Sequence, residues 1–216
     1  MSSPLAVILG VGPLIGLSVA QRFAREGFRT VLVGLDGAFL EEQATQLRDS
    51  QGMVCDLGEP KVVASLFQRI RAEHGDAQVM IYNASAGARG PASTLEPETL
   101  QRDLRVNALA PLVAAREVLP AMRRAGQGTL LFTGGGLALN AHADLASGSM
   151  GKAALRQLAL CLAEELRPEG IHAATVTVAG FVQRDTPFNP DLIADCFWEL
   201  HCEPREAWRS EVVLRP

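Results

Sequence analysis

Short, continuously apolar segments alternate with amphipathic segments along the whole chain, and this alternation restricts the fold more than any other feature. The apolar segments predict strands at Leu5–Gly10, Thr30–Val33, Gly52–Cys55, Gln78–Tyr82, Thr129–Thr133, Ile171–Val178 and Glu211–Leu214. The segments between them predict helices near 15–26, 37–48, 59–74, 97–124, 146–167 and 190–201. Strands without polar alternation are typical of parallel sheets that helices cover on both faces. The sequence therefore predicts an α/β fold, a doubly wound seven-stranded parallel sheet in a three-layer αβα sandwich.

Length, charge and cysteine content limit the number of domains and the kinds of partner. The 216 residues suffice for one sizeable core, and we expect a single domain over residues 1–216. A net charge of −4 without a dense Lys/Arg run disfavours nucleic acid and anionic membranes as partners. The opening MSSPLAVILGVG lacks the basic region of a signal peptide, and no stretch is long enough to span a bilayer. Since the four cysteines lack metal-ligand spacing, we expect no metal site and a cytoplasmic protein with reduced thiols.

A glycine-rich turn, AVILGVGPLIG, joins the first predicted strand to the first predicted helix. Gly10 can turn sharply off the strand, Gly12 leaves room for a pyrophosphate, and Gly16 lets the helix pack closely on the sheet. The helix amino end, at Leu14 and Ile15, offers free N–H groups and the positive end of the helix dipole to a phosphate. Glycines also close ordinary strand-to-helix turns, so the position of this turn at the first such junction is what favours a nucleotide site.

Polar residues follow the next three predicted strands, at the sheet edge where open α/β folds bind ligands. The candidate cofactor-binding residues there are Asp36, Asp56, Leu57, Asn83, Ala84 and Ser85. Asp36 and Asp56 can each approach a ligand at this edge, but either aspartate can equally cap the helix that follows it. Asn83 can bridge neighbouring loops through its amide or serve as an ordinary turn residue.

Taken together, these motifs resemble those of the short-chain dehydrogenase/reductase family over nearly the whole chain. The family motif TGxxxGxG corresponds to LGVGPLIG, with Leu14 at the middle glycine, and YNAS corresponds to NNAG through Asn83 and Ala84. Asp56 matches the family's adenine-contacting acid. The resemblance implies a Rossmann-type fold and a nicotinamide dinucleotide as cofactor.

The resemblance also assigns roles in the second half of the chain. Asn107 matches the asparagine that supports a proton-relay water, and Lys152 matches the lysine of YxxxK, which binds the nicotinamide ribose. Ala179 and Gly180 match the Pro-Gly pair beside the nicotinamide, and Val182 follows them as a further cofactor contact. A lysine is more often a solvated surface residue, and the surrounding motifs are what favour a functional Lys152.

Two family positions that carry reactive side chains hold glycine in this sequence. Gly148 stands where the family has the tyrosine that protonates the developing alkoxide, and Gly135 stands where it has the serine that polarises the carbonyl. His142, whose imidazole titrates near neutrality, is the candidate substitute acid. Lys152 and Asn107 complete the candidate catalytic set.

Hydroxyl groups near these positions are expected to be structural. Tyr82 is predicted to pack in the core, and Ser147 and Ser149 are predicted to cap the helix that begins beside them. Thr133 ends the fifth predicted strand and places a hydroxyl near the missing serine.

The residues after the second strand do not separate NAD from NADP. Family members that prefer NAD carry an acid near Gly34, and those that prefer NADP carry a base near Leu35 or Pro13, but neither charge is present. The resemblance gives a lean to NADP, with NAD as the alternative.

Three functions remain open from the sequence. The first is an atypical NAD(P)(H)-dependent oxidoreductase that acts on a small carbonyl or alcohol with a degenerate catalytic tetrad. The second is a non-catalytic NAD(P)-binding sensor or partner protein, and the third is a lyase or isomerase that uses His142 and Asp144 as an acid–base pair. Apolar surface on the helices at 97–124 and 146–167, which pair across two-fold axes in the family, predicts a homodimer or homotetramer.

Overall fold

The computed structural model describes residues 3–215, and these form the predicted parallel sheet of seven strands. The strands are β1 Leu5–Leu9, β2 Arg29–Gly34, β3 Ser50–Val54, β4 Val79–Tyr82, β5 Gly128–Gly135, β6 Ile171–Val178 and β7 Glu211–Leu214. Their spatial order is β3-β2-β1-β4-β5-β6-β7, and every neighbouring pair is parallel. All residues of β1, β4 and β6 are buried, which explains why these strands lack polar alternation.

Helices cover both faces of this sheet and complete the three layers. They are α1 Ile15–Arg25, α2 Gly37–Thr45, α3 Pro60–His74, α4 Pro97–Leu104, α5 Ala110–Ala125, α6 Ala146–Leu166 and α7 Pro190–Cys202. Buried side chains of α3, α5 and α6 pack into one core, and those of α1, α2 and α7 pack into the other. The doubly wound α/β prediction is confirmed. None of the helices within residues 3–215 is long and apolar enough to cross a membrane.

The strand order reverses at β1, which lies between β2 and β4. After β1 the chain continues to β2 on one side, and after β4 it continues to β5 on the other side. The loops that leave the carboxyl ends of β1 and β4 therefore run in opposite directions. Divergent connections open a crevice at that edge, which is where ligands bind in sheets of this kind. The fold therefore places the candidate site at the carboxyl ends of β1, β2 and β4.

The helical segment predicted near 97–124 is confirmed in extent, but a π-helical turn at Arg105–Leu109 divides it into α4 and α5. Pro111 has no N–H and cannot donate to the carbonyl of Asn107 one turn earlier, so the regular helical ladder is interrupted. The wider turn carries Asn107, and its side chain is fully buried against the loop that follows β4.

Candidate functional site

A cleft of about 590 Å³ opens at the sheet edge where β1 lies between β2 and β4. The predicted residues that line it are Gly10, Gly12, Asp36, Asp56, Leu57, Asn83, Ala84 and Ser85. Residues outside the predicted set that also line it are Val11, Gly34, Leu35, Cys55, Gly58, Ala86 and Val106. Most of these additions are direct neighbours of predicted residues, so strand-end position alone would have identified them. Val106 lies in the π turn, and the only indication of it in the sequence was the neighbouring candidate residue Asn107.

The glycine turn shapes one wall of the cleft. Gly10 has a φ of +88°, and a side chain at this position would overlap the backbone of Ala84. A Cβ atom at Gly16 would lie 2.7 Å from the carbonyl oxygen of Gly10, so α1 can approach the turn only without one. At Gly12 a Cβ atom would meet nothing within 4 Å, so the open space lies on the cleft side. With the amino end of α1 beside it, this opening fits a nucleotide phosphate.

Asn83 links the glycine turn to the neighbouring strand, as its predicted bridging role requires. Its amide nitrogen donates to the carbonyl oxygen of Gly10 at 2.7 Å. Its amide oxygen accepts from the hydroxyl of Thr133 at 2.9 Å. The carbonyl oxygen of Thr133 in turn accepts from the ammonium of Lys152 at 2.9 Å. One hydrogen-bonded path therefore runs from the turn to the lysine.

Lys152 is not a solvated surface lysine. It is half-buried on α6, and the loss of hydration lowers the pKa of its ammonium to about 8. Helix α6 can approach the π turn closely because Gly151, which precedes Lys152, has no side chain. A Cβ atom at Gly151 would lie 2.8 Å from Cγ of Asn107. Close packing of α6 therefore sets both the position and the reduced basicity of Lys152.

Asn107 uses its whole side chain to hold the loop that follows β4. Its amide oxygen accepts from the backbone N–H of Ala86 at 3.2 Å, and its amide nitrogen donates to the carbonyl oxygens of Ala86 and Asp103 at 2.6 and 3.0 Å. Both N–H donors of the amide are thus occupied. The side chain of Asn107 thus positions the cleft wall.

The two glycines at the family's reactive positions lie beside Lys152. Gly148 precedes it by one turn of α6, and a Cβ atom there would lie 3.3 Å from Cδ1 of Leu137. Gly135 ends β5, and a Cβ atom there would lie 3.5 Å from both Cδ and Cε of Lys152. Gly135 has room for a Cβ atom in ordinary contact with the lysine stem, whereas a Cβ atom at Gly148 would require a small shift of Leu137.

His142 and Tyr82 occupy very different environments. His142 is exposed, and its Nδ1 accepts from the backbone N–H of Asp144 at 3.2 Å, so the imidazole contacts this backbone and not the Asp144 carboxylate. Tyr82 is fully buried and donates its hydroxyl to the carbonyl oxygen of Val106 at 2.5 Å. Burial, reinforced by neighbouring Cys55, raises the pKa of the Tyr82 phenol. The predicted packing of Tyr82 in the core is confirmed.

The capping roles predicted for Ser147 and Ser149 were wrong. The residue at the N-cap of α6 is Leu145, and no side chain caps the helix. Ser147 is fully buried and donates to Oδ2 of Asp103 at 2.6 Å, while Ser149 donates to the carbonyl oxygen of Leu145 at 2.9 Å. Burial inside the α4–α6 contact, rather than position near the helix start, determines what Ser147 bonds.

The two aspartates of the cleft differ in what they bond. Asp36 caps α2, since its carboxylate accepts from the backbone N–H of Phe39 at 3.1 Å, and it lines the cleft as well. Asp56 does not cap α3. Its carboxylate accepts from the N–H of Gly58 at 2.8 Å and closes a local turn. Both carboxylates keep a second oxygen free of protein partners within residues 3–215.

The second-strand positions that discriminate between cofactors also differ in the space around them. A Cβ atom at Gly34 would lie 2.9 Å from the carbonyl oxygen of Val11, so an acidic side chain there would require the glycine turn to move. Leu35 is 73% exposed at the rim of the cleft and has room for a longer side chain. The described lining residues include no lysine or arginine.

The remaining predicted cofactor contacts lie outside the lining of this cleft: Leu14, Ile15, Gly16, Lys152, Ala179, Gly180 and Val182. The side chains of Ile15 and Val182 pack against the apolar core, and the ring of Phe188 fills the space beside Gly180. The backbone N–H of Ala179 donates to Leu214 at 2.9 Å. A ligand can therefore reach Ile15, Gly16 and Gly180 only through their backbone.

Comparison with known proteins places these features in a family context. The short chain dehydrogenase profile matches residues 4–194. The chain is similar to the oxidoreductase asL5 of Sarocladium schorii, with 28% identity over 183 residues that cover 83% of this chain and 72% of that protein. It is also similar to 1-deoxy-11-beta-hydroxypentalenate dehydrogenase of Streptomyces exfoliatus, with 31% identity over 198 residues that cover 88% and 70%.

Two solved structures share the fold along their whole length. A metagenomic short-chain oxidoreductase in complex with NADP superposes with a TM-score of 0.91 at 28% identity, covering 100% of this chain and 98% of that one. A short-chain dehydrogenase from Rhodopseudomonas palustris superposes with a TM-score of 0.87 at 27% identity, covering 100% and 99%.

Proposed function

The chain belongs to the short-chain dehydrogenase/reductase family, and on that premise we propose that it is an atypical NAD(P)(H)-dependent oxidoreductase of a small carbonyl or alcohol. The hydrogen-bonded path from Gly10 through Asn83 and Thr133 to Lys152 supports the proposal. It ties the phosphate-binding turn to a half-buried ammonium at the same sheet edge. A protein that needed only a folded core would not require a charged group held at that point, because burying an ammonium is costly.

The cleft at β1, β2 and β4 would hold the adenosine and pyrophosphate half of the cofactor. In this proposal Gly12 and the amino end of α1 receive the pyrophosphate, Asp36 reaches the adenosine ribose, and Asp56 and Val106 flank the adenine. The whole chain, residues 1–216, acts as one dinucleotide-binding domain.

We favour NADP over NAD as the cofactor. Position 34 has no room for an acidic side chain. The protein therefore lacks the acid that usually binds the ribose hydroxyls of NAD. The similar metagenomic oxidoreductase, at 28% identity, was solved with NADP. Since no basic side chain lines the described cleft, backbone N–H groups and the exposed rim at Leu35 would have to accommodate the additional phosphate.

The second half of the cofactor would lie along β5 and β6. When bound, the nicotinamide supplies or accepts the hydride. Lys152 would bind the adjoining ribose hydroxyls with its ammonium, and Ala179 and Gly180 would border the ring with their backbone. Asn107 holds the loop at Ala86 and thereby sets the width of the cleft.

Cofactor binding tests the proposal directly. The melting temperature would be measured with NAD⁺, NADH, NADP⁺ and NADPH, since a ligand at 100 times its Kd stabilises the fold by about 2.7 kcal/mol. We expect the largest shift with NADP⁺ or NADPH, and a smaller shift for Lys152→Ala. Lys61→Ala is the matched control, because Lys61 is exposed on α3 and is the only other lysine in the chain. Failure of all four dinucleotides to shift the melting temperature would refute the proposal.

A non-catalytic NADP-binding protein is the second candidate, and the glycines at positions 135 and 148 favour it. Neither carries a reactive group, although a Cβ atom at Gly135 would make only ordinary contacts and one at Gly148 would need only a small shift of Leu137. NADPH oxidation with aldehydes, ketones and quinones would separate the two functions. Tight cofactor binding without turnover of any of these compounds would support the second function, and turnover would exclude it.

We also propose that the protein forms a homodimer or homotetramer through α4, α5 and α6. Leu109, Leu112 and Met150 are large apolar residues that remain exposed on or beside these helices. Light scattering of the wild type and of Leu112→Glu would test this assembly. We expect the substitution to shift the wild-type oligomer toward the monomer. A wild type that is monomeric at high concentration would contradict the proposal.

A further inference from the structure

We propose that Lys152 is itself the proton donor of the reaction and takes over the task of the side chain missing at Gly148. This inference rests on the proposed function and names the acid that the function requires. It assigns Lys152 a direct role toward the substrate oxygen, in addition to any contact with the cofactor ribose.

The first support is the position of the ammonium relative to the two glycines. Within residues 3–215 its Nζ has a single hydrogen-bond partner, the carbonyl oxygen of Thr133 at 2.9 Å. An ammonium has three N–H donors, so two are left for other partners. The Cβ position of Gly135 is 3.5 Å from Cδ and Cε of the lysine, so a side chain at 135 would cover the lysine stem. With glycine at 135, no side chain from that position covers the lysine stem.

The second support is that the hydroxyl groups around Lys152 are committed to other acceptors. Thr133 donates to Asn83, Tyr82 donates to the carbonyl of Val106, and Ser147 donates to Asp103. Each hydroxyl has one proton to donate, and each of these protons is already in a hydrogen bond. Lys152 is therefore the half-buried acidic group near Gly135 and Gly148 that still has N–H donors without a hydrogen-bond partner among residues 3–215.

The third support is the absence of a charged partner that would keep the lysine strongly basic. On the neighbouring elements, Asp103 of α4 is bonded to Ser147 and Ala88, and Arg105 of the π turn pairs with Glu59 at 3.3 Å. On α6 itself, Arg156 pairs with Glu211.

His172, at the other end of β6, stacks on Trp208. With the charged neighbours of Lys152 engaged in this way, desolvation alone lowers its pKa, to about 8. A general acid works best when its pKa lies near the operating pH, and this value satisfies that condition.

The proton transfer balances as follows. A bound reduced nicotinamide would supply a hydride to the carbonyl carbon of the substrate, and the electron pair of the C=O π bond would move to oxygen. The N–H bond of Lys152 breaks and an O–H bond forms, so the products are a neutral alcohol and a neutral amine. Solvent then returns a proton to the amine, and alcohol oxidation follows the same steps in reverse.

The titration of Lys152 can be measured without any cofactor or turnover. Reductive ¹³C-methylation labels only Lys61, Lys152 and the terminal amine, so NMR resolves each site and Lys152→Ala assigns its signal. We expect a midpoint near 8, about two pH units below the ordinary value for lysine. A midpoint above 10 would overturn the inference.

Turnover then tests the role of the group. NADPH oxidation with 4-nitrobenzaldehyde, acetophenone and cyclohexanone would be followed from pH 6 to 10. We expect kcat for reduction to fall about tenfold per pH unit above the Lys152 midpoint, because only the protonated lysine can donate. Lys152→Arg keeps the charge but does not titrate in this range, so we expect roughly 10²-fold lower kcat and no such pH dependence.

The outcomes separate this inference from the proposed function. If NADPH binds but none of the carbonyls is reduced, the oxidoreductase function fails and the inference with it. If carbonyls are reduced and Lys152→Arg retains the wild-type kcat and pH profile, only the inference fails. If His142→Ala abolishes reduction while Lys152→Arg does not, His142 is the donor and the inference is again overturned.

Discussion

Asn83 accepts a hydrogen bond from the hydroxyl of Thr133 at 2.9 Å, and this contact joins the two halves of the candidate site. On one side Asn83 holds the carbonyl of Gly10, and on the other the carbonyl of Thr133 holds Lys152. The residues lie in the turn after β1, in the loop after β4, on β5 and on α6, so the contact exists only once the sheet is assembled. A disturbance at Asn83 should therefore affect both the fold and the placement of the lysine.

Asn83→Ala is expected to lower the free energy of unfolding by about 2 kcal/mol. The substitution leaves the carbonyl of Gly10 and the hydroxyl of Thr133 without their partner, and part-buried groups that lose a partner cost about 1–3 kcal/mol. Urea unfolding followed by circular dichroism measures the change. Asn140→Ala, at an exposed position, is the control and should change stability by less than about 0.5 kcal/mol. Equal losses in the two variants would contradict the bridging role.

Alanine at Gly10 and alanine at Gly12 should have opposite effects. Gly10→Ala is expected to destabilise the fold by at least about 2 kcal/mol, because its φ of +88° is strained for alanine and its Cβ would overlap Ala84. Gly12→Ala is expected to keep the wild-type stability and to weaken dinucleotide binding about tenfold, because its methyl group enters open space in the cleft. Thermal unfolding and calorimetric titration with NADPH distinguish the two. Undiminished NADPH affinity in Gly12→Ala would place the pyrophosphate elsewhere.

Leu35→Arg should raise the preference for NADPH over NADH about tenfold. The side chain is 73% exposed at the rim of the cleft, and a guanidinium there can pair with a 2′-phosphate. Dissociation constants for both cofactors, measured by fluorescence titration, test this expectation. Leu192→Arg, on the exposed surface of α7, is the control for added charge. A preference that does not change, or that changes equally in the control, would argue against an adenosine ribose near residue 35.

The ion pair between Arg156 and Glu211 should make stability depend on pH. Arg156 and the hydroxyl of Thr177 donate to the carboxylate, and chiefly the arginine lowers the pKa of Glu211 below its usual 4.5. The unfolded chain then binds this proton more readily than the folded one. The stabilisation is therefore present above pH 4.5 and is lost as the pH falls through the lower folded-state pKa.

Glu211→Gln tests this pH dependence. The variant should be less stable than wild type at pH 7, and the difference should shrink between pH 4.5 and 3, as measured by urea midpoints. Glu164→Gln, on the exposed side of α6, should show no such trend. A difference for Glu211→Gln that stays constant with pH would contradict the assignment.

Several elements were predictable because their signals are local. All seven strands lie within a few residues of their predicted positions. For β1, β4 and β6 the reason is that a strand buried on both faces requires an uninterrupted apolar run. The glycine turn was predictable for the same reason, because its conformation depends on residues adjacent in the chain. The break between α4 and α5 was missed although Pro111 marks it, because the apolar periodicity continues through the π turn.

Contacts between distant residues account for what could not be predicted. Ser147 looks like a helix cap in the sequence, yet it bonds Asp103, which lies 44 residues away. Nothing near Asn107 in the chain indicates that its amide would close on Ala86. Lining residues such as Val106 enter the cleft only because the π turn packs against the carboxyl edge of the sheet.

The parallel sheet, the glycine turn and the absence of a tyrosine and a serine beside Lys152 follow from residue identity and short-range order. What Lys152 contacts and how readily it gives up its proton depend on the packing of distant parts of the chain. Burial and hydrogen-bond partners arise where β5, α6 and the π turn meet, and the pKa of an ammonium depends on how much water that meeting excludes.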